Sequence, residues 1–311
     1  MAKRVLWRSW CKIEADFEIK KINKLDTSLQ WVDGHKHKPM PNDIWLATNG
    51  YDYKVGPFKR AALYAESYLH IKNAYDNWNK DKHKWHKRFH FNPKYCHQGD
   101  ELHNIGCWWL DELPLYEKRR KVEPKYDFGM VLANKGTDRV PPCNFYYYRN
   151  YAVKHTVGRS FKYYGPKWPR TQNYAGEKYI NGSRGTPVKF TDARDLMADC
   201  RFVYAFENVH DDYYSLNYMT EKIFHAFLSN SVPIYAGAGN IQELIPENIF
   251  IDARKFNLNI PKIIKHCENM GNKEYNEYLE KINAWLNSDG QKFSYNHLFV
   301  QLDKKLQRAF R

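Results

Sequence analysis

At 311 residues the chain is too long for one small core and has room for two domains of ordinary size. Hydrophobic residues at 43% and charged residues at 27% make a foldable soluble mixture, and a formal net charge of +14 favours phosphate-bearing partners: nucleic acid, anionic membrane or a nucleotide diphosphate. The six cysteines (Cys11, Cys96, Cys107, Cys143, Cys200, Cys267) include no C-x-x-C pair, which speaks against a zinc site or a dense disulfide framework and for a reducing compartment.

The segment from Met1 to Lys12 is basic and lacks the apolar run of a signal peptide. No stretch approaches the roughly 20 apolar residues needed to span a bilayer, so the expectation is a soluble, cytoplasmic protein with no integral membrane segment. Asp43–Thr48 and Arg60–Glu66 are apolar runs bounded by polar residues and predict short buried strands. The basic run Asn79–Arg88 and the smaller one at Glu117–Lys121 read as solvated faces or loops. Neither carries the zinc spacing or homeodomain pattern of a nucleic-acid module.

Lys118–Lys125 is charged and broken by Pro124, and it marks the domain boundary: residues 1–122 form one domain and 123–311 the other. Beyond it, Tyr126–Ala133 and Phe202–Phe206 predict buried strands. Glu221–Ser229 carries Ile223, Phe224, Ala226, Phe227 and Leu228 at helical spacing. Val232–Tyr235 predicts a strand, Ile241–Leu244 a short helix and Ile249–Asp252 a further strand. Alternation at these lengths describes βαβ units in a parallel, doubly wound sheet. Glu274–Leu286, with Tyr275, Tyr278, Leu279, Ile282 and Leu286 on one stripe, predicts a helix that packs back on the body.

Chemistry concentrates between Arg201 and Phe256. The strand Phe202–Phe206 ends in Glu207 and Asn208, placing a carboxylate and an amide at the sheet edge where open α/β sheets bind ligands. Thr220 stands just ahead of the helical run as a candidate N-cap, with Glu221 and Lys222 in the first turn. A lysine opposes the helix dipole there, so Lys222 beside unpaired N–H groups predicts a site for an anion such as a diphosphate. The alternative is a solvent-facing lysine on an ordinary amphipathic helix. No Asp-x-Asp pair that could hold a metal closes a strand, and Asp211-Asp212 falls in a loop and is expected to be solvated.

The ordered set Phe206-Glu207-Asn208, Tyr218-Met219-Thr220-Glu221-Lys222, Ala226, Val232–Gly237, Pro246 and Phe250-Ile251-Asp252 resembles the donor-site signature of glycosyltransferase family 10, the α-1,3/4-fucosyltransferases. The loop Val209–Asn217 is longer than the family pattern. The resemblance implies an α/β GT-B fold, two Rossmann-like domains facing across a cleft, with the acceptor on the N-terminal domain and the GDP-sugar on the C-terminal one. The C-terminal helix could pack back on the N-terminal domain. It further implies an inverting α-1,3-fucosyltransferase that moves L-fucose from GDP-fucose to an oligosaccharide or glycoconjugate hydroxyl, without a metal or other cofactor and without a nucleic-acid partner.

By the same resemblance Lys222 contacts donor phosphate, Glu221 approaches the fucose ring, and Glu207, Asn208, Tyr218 and Thr220 line the donor site. The strand ending Val131-Leu132-Ala133-Asn134, with Ala where the family has Ser, is followed by Arg139, the second phosphate contact. Glu66, at the end of Ala61-Ala62-Leu63-Tyr64-Ala65, is the general base, with Asp100 or Glu101 as substitutes. The chemistry agrees with these residue types. Departing GDP gains negative charge that fixed cations stabilise, the anomeric carbon becomes oxocarbenium-like beside a carboxylate, and direct displacement needs a carboxylate base on the opposite face. Competing readings are a GT-B transferase for another GDP-sugar, an inactive relative that keeps the fold, and a basic nucleic-acid-binding protein.

Overall fold

The computed structural model describes residues 3–8, 19–20, 22–48, 56–64, 85–96, 99–104, 123–134, 145–165, 167–168, 173, 194 and 196–311. The chain divides into two compact units. The first comprises Met1–Glu112, Leu216–Tyr218 and Lys292–Arg311, and the second Leu113–Ser215 and Met219–Gln291. The passage between them near residue 113, and with it the expected boundary at 122, lies outside the described residues.

In the first unit, β1 (Arg4–Arg8), β2 (Gln30–Asp33), β3 (Ile44–Thr48), β4 (Lys59–Tyr64), β5 (Lys87–His90) and β6 (Glu101–Leu102) form one sheet in the order β2-β1-β3-β4-β5-β6. Every neighbouring pair is parallel. The period-2 alternation of strands sorts the side chains into two cores. Val5, Trp7, Ile44, Leu46, Ala61 and Leu63 bury one face, whereas Leu6, Trp45, Ala47, Ala62 and Tyr64 bury the other. β3 and β4 match the sequence expectation. β5 does not, because the basic run was assigned to solvent: the Arg88 side chain is buried, its guanidinium forked onto Asp100 at 2.7 and 2.8 Å, which removes the cost of an unpaired internal charge.

The second unit begins with β7 (Tyr126–Val131), α1 (Phe145–Thr156), β8 (Phe161–Tyr164) and β9 (Cys200–Phe206). It continues through α2 (Glu221–Leu228), β10 (Val232–Ala236), α3 (Ile241–Leu244), β11 (Ile251–Asp252), α4 (Ile260–Asn269) and α5 (Asn272–Leu286). Its sheet runs β11-β10-β9-β7-β8, again all parallel. The chain leaves β7 for β8 on one side and returns to β9 on the other. The carboxyl ends of β7 and β9 therefore flank a topological switch point, where open α/β sheets form a ligand crevice.

The last helix, α6 (Tyr295–Ala309), belongs to the first unit. Tyr295, Phe299, Leu302 and Leu306 join the Trp7 and Trp31 core. Buried Asp303 accepts from the Trp31 Nε1–H at 2.9 Å and from the backbone N–H groups of Ser28 at 2.9 Å and Leu29 at 3.3 Å. No described helix is long and apolar enough to cross a membrane.

Candidate functional site

The site grows from the end of β9. Its five-residue run from Phe202 to Phe206 is buried in the sheet centre, and the chain then delivers Glu207 with no solvent exposure. A buried carboxylate needs donors to satisfy its lone pairs. Thr220 supplies two: its N–H at 2.8 Å and its hydroxyl at 2.7 Å. Lys222 Nζ supplies a third contact at 3.1 Å and also lies 3.2 Å from Glu221 Oε1 and 2.9 Å from the Thr220 hydroxyl. Thr220 does occupy the N-cap position of α2, but its side chain makes no cap bond. The hydroxyl donates to Glu207, and its oxygen accepts from Lys222 Nζ at 2.9 Å in place of a backbone N–H of the first turn.

Lys222 is 11% exposed and is shared by two carboxylates, so it is neither a solvent-facing lysine nor one without counter-ions. Burial raises the Glu207 carboxyl above its ordinary range, with Lys222 and Thr220 opposing. Burial also pushes the Glu221 carboxyl upward, but Lys222 and His225 outweigh it and leave Glu221 at about 2. The Lys222 ammonium thus favours the ionised form of Glu221.

Close approach of neighbouring backbone shapes the floor of this cluster. Glu207 N–H donates to Ala236 O at 2.9 Å, and a Cβ on Gly237 would lie 2.3 Å from Glu207 Cγ and 2.3 Å from the Tyr235 hydroxyl. Glycine at 237 is thus a requirement of packing against the Glu207 side chain.

The switch point itself holds Arg149, which the sequence reading did not single out. This α1 side chain is 2% exposed. Its Nη2 donates to Phe206 O at 2.7 Å, Glu207 O at 2.8 Å and Asn208 Oδ1 at 3.1 Å, and Nη1 donates to Ala133 O at 3.3 Å. The Tyr146 hydroxyl donates to the same Asn208 Oδ1 at 3.2 Å, and its ring lies 4.5 Å from the guanidinium carbon. Asn134, at the end of β7, exchanges amide hydrogen bonds with Asn150 at 3.2 and 3.1 Å.

The structure therefore gathers Asn134, Glu207, Asn208, Thr220, Glu221 and Lys222 in the second unit, around the ends of β7 and β9 and the start of α2. Tyr218 falls instead in the first unit, fully buried with its ring 5.6 Å from Phe91. Glu66 and Arg139 lie outside the described residues. Asp100, one of the two substitutes, pairs with Arg88, and Glu101, the other, lies among Lys87, Lys305 and Arg308. Asp212 is 96% exposed, as expected for the loop, whereas Asp211 is half-buried and its Oδ1 accepts from the Tyr213 and Tyr214 backbone N–H groups, both at 2.8 Å. Among the described residues no three His, Cys, Asp or Glu side chains are grouped to hold a metal ion.

Comparisons with known proteins converge on one enzyme class. Residues 174–306 match the model of the C-terminal part of glycosyltransferase family 10 (fucosyltransferase). An α-(1,4)-fucosyltransferase of Arabidopsis thaliana is 36% identical over 91 residues, 29% of this chain and 20% of that protein. The mouse 4-galactosyl-N-acetylglucosaminide 3-α-L-fucosyltransferase 9 is 32% identical over 114 residues, 35% of this chain and 28% of that protein. The matched stretches thus span well under a third of these relatives' own lengths. Among solved structures, an α1,3-fucosyltransferase with GDP-fucose matches over 100% of this chain and 91% of that one, with a TM-score of 0.60 at 13% identity. A DNA-modifying β-glucosyltransferase matches over 100% and 99%, with a TM-score of 0.54 at 9% identity. At these identities the likeness is one of fold.

Proposed function

We propose, for a chain that belongs to glycosyltransferase family 10 through residues 174–306 and has the GT-B fold, that it transfers L-fucose from GDP-fucose to a hydroxyl of a glycan. The observation that carries this reading is the Glu207–Thr220–Lys222 arrangement, which holds an ammonium group at the first turn of α2 beside the sheet's switch point. An anion arriving there meets the positive end of a helix and a cation already fixed in place. As the bond between sugar and phosphate breaks, negative charge grows on the departing β-phosphate oxygen. A preorganised Lys222 stabilises that charge more than the ground state, and Arg139 is assigned as its companion.

Glu221 supports the same step from the sugar side. A carboxylate whose ionised form is favoured by Lys222 offers negative charge to an oxocarbenium-like anomeric carbon. The reaction inverts the anomeric configuration by direct displacement, with Glu66 taking the proton from the acceptor hydroxyl. In this reading the leaving group's charge is met by side chains and helix N–H groups, so no metal is assigned. The acceptor is an oligosaccharide or glycoconjugate.

Calorimetry with GDP and GDP-fucose tests the donor assignment directly. Wild-type protein should bind both, and Lys222→Ala should weaken both by about tenfold or more, the worth of one charge-assisted phosphate contact. Failure of the wild type to bind either nucleotide would overturn the reading. Competition among GDP-sugars identifies the donor sugar, and Glu66→Gln should abolish turnover while leaving GDP affinity intact.

A further inference from the structure

We propose that Arg149 is a positioning residue of the donor site, acting by converting the carbonyl edge at the ends of β7 and β9 into an anion-accepting surface. This inference rests on the GDP-sugar reading above. The carboxyl edge of a parallel sheet ends in C=O groups whose lone pairs repel phosphate. Here the guanidinium takes up the carbonyl oxygens of Ala133, Phe206 and Glu207 together with the amide oxygen of Asn208. One side chain on α1 thus masks acceptors on both strands that flank the switch point.

Two further observations point the same way. Among the described residues no carboxylate pairs with Arg149, although the residue is 2% exposed, and its Nε–H is buried without a hydrogen-bond partner. An internal guanidinium opposed only by carbonyl and amide dipoles retains net positive charge at the place a diphosphate would occupy. Arg149 and the Tyr146 hydroxyl also both donate to Asn208 Oδ1, at 3.1 and 3.2 Å. With its oxygen held by two donors, the Asn208 amide is fixed in orientation at the end of β9. Arg149 thereby acts through Asn208 as well as through its charge.

The test is a double-mutant cycle on GDP affinity, measured by calorimetry with Arg149→Lys, Asn208→Ala and the pair. Lysine keeps the charge but cannot fork across four oxygens, so Arg149→Lys should weaken GDP about tenfold, the loss expected for a disturbed contact to a charged ligand. Asn208→Ala should lose a similar factor, and the double variant should lose no more than the worse single. Such non-additivity in ligand affinity is not produced by a purely structural strap. Tyr146→Phe, which leaves Arg149 in place, is the second probe should Arg149→Lys fail to fold, and it should lower GDP affinity several-fold. Wild-type-like affinity in Arg149→Lys or Tyr146→Phe, or losses that multiply in the double variant, overturns the inference alone. Absence of GDP binding by the wild type overturns the donor reading and this inference together.

Discussion

Replacing Glu207 with glutamine isolates what the buried carboxylate does for Lys222. The amide keeps the shape and one acceptor oxygen, so Thr220 N–H retains a partner, but the negative charge 3.1 Å from Lys222 Nζ is gone. Removing one member of a buried ion pair costs ~3–5 kcal/mol when the other is left uncompensated. Glu221 remains 3.2 Å from the same ammonium, which reduces the expected loss to about 2 kcal/mol. With an unfolding entropy of roughly 2.1 cal/mol/K per residue, that is a fall of roughly 3 °C in melting temperature for the whole chain, and more if the second unit unfolds on its own. Thermal unfolding followed by circular dichroism reads the shift. Saturating GDP should narrow the gap, because donor phosphate replaces the missing carboxylate as a counter-ion of Lys222. A Glu207→Gln variant that melts with the wild type, both with and without GDP, would refute this account of the cluster.

Other consequences can be measured independently. Gly237→Ala pushes a methyl group to 2.3 Å from Glu207 Cγ, and overpacking of this kind costs ~1–3 kcal/mol, so urea unfolding should show a loss of that size; unchanged stability would count against the close packing of Gly237 on Glu207. Asp303→Ala leaves Trp31 Nε1–H and two backbone N–H groups without their buried acceptor, and urea unfolding should show a loss of about 3 kcal/mol. Burial lowers the His225 imidazole to about 4, with Arg194 and Lys222 adding to the shift and Glu221 opposing it. The unfolded chain binds that proton near pH 6.5 and the folded one refuses it, so the contribution of His225 is complete above pH 6.5. It is lost as pH falls toward 4, by about 3 kcal/mol. His225→Asn should flatten the urea-derived stability profile across that window, and an unchanged slope would show that the group does not titrate as described.

The second unit was largely legible because its strands are short apolar runs with sharp polar limits. Val232–Ala236 and Ile241–Leu244 appear where composition and spacing place them, and Glu207, Thr220 and Lys222 were named from a strand end and a helix start, although their mutual contacts were not. The first unit hid more. β2, reading Gln-Trp-Val-Asp, has only two apolar residues and gives no strand signal, and β5, reading Lys-Arg-Phe-His, opens on two cations whose partners Glu101 and Asp100 are distant in sequence, so a local window assigns β5 to solvent. Asp100 neutralises Arg88 only once β5 and β6 are paired. Arg149 was invisible for a related reason: it sits in an aromatic run, Phe145-Tyr-Tyr-Tyr-Arg, and its acceptors are backbone oxygens of Ala133, Phe206 and Glu207, which no side-chain pattern can reveal. The Thr220 cap misled because the same hydroxyl donates to Glu207 and accepts from Lys222 Nζ instead of a backbone N–H.

The placement of α6 in the first unit also sets an order of assembly. That unit takes its opening strands from the start of the chain and one wall of its core from Tyr295, Phe299, Leu302 and Leu306. During synthesis every residue of the second unit has left the ribosome before that wall exists. The unit made first is therefore finished last, and until then the indole face of Trp7 and Trp31 is open for a chaperone to cover.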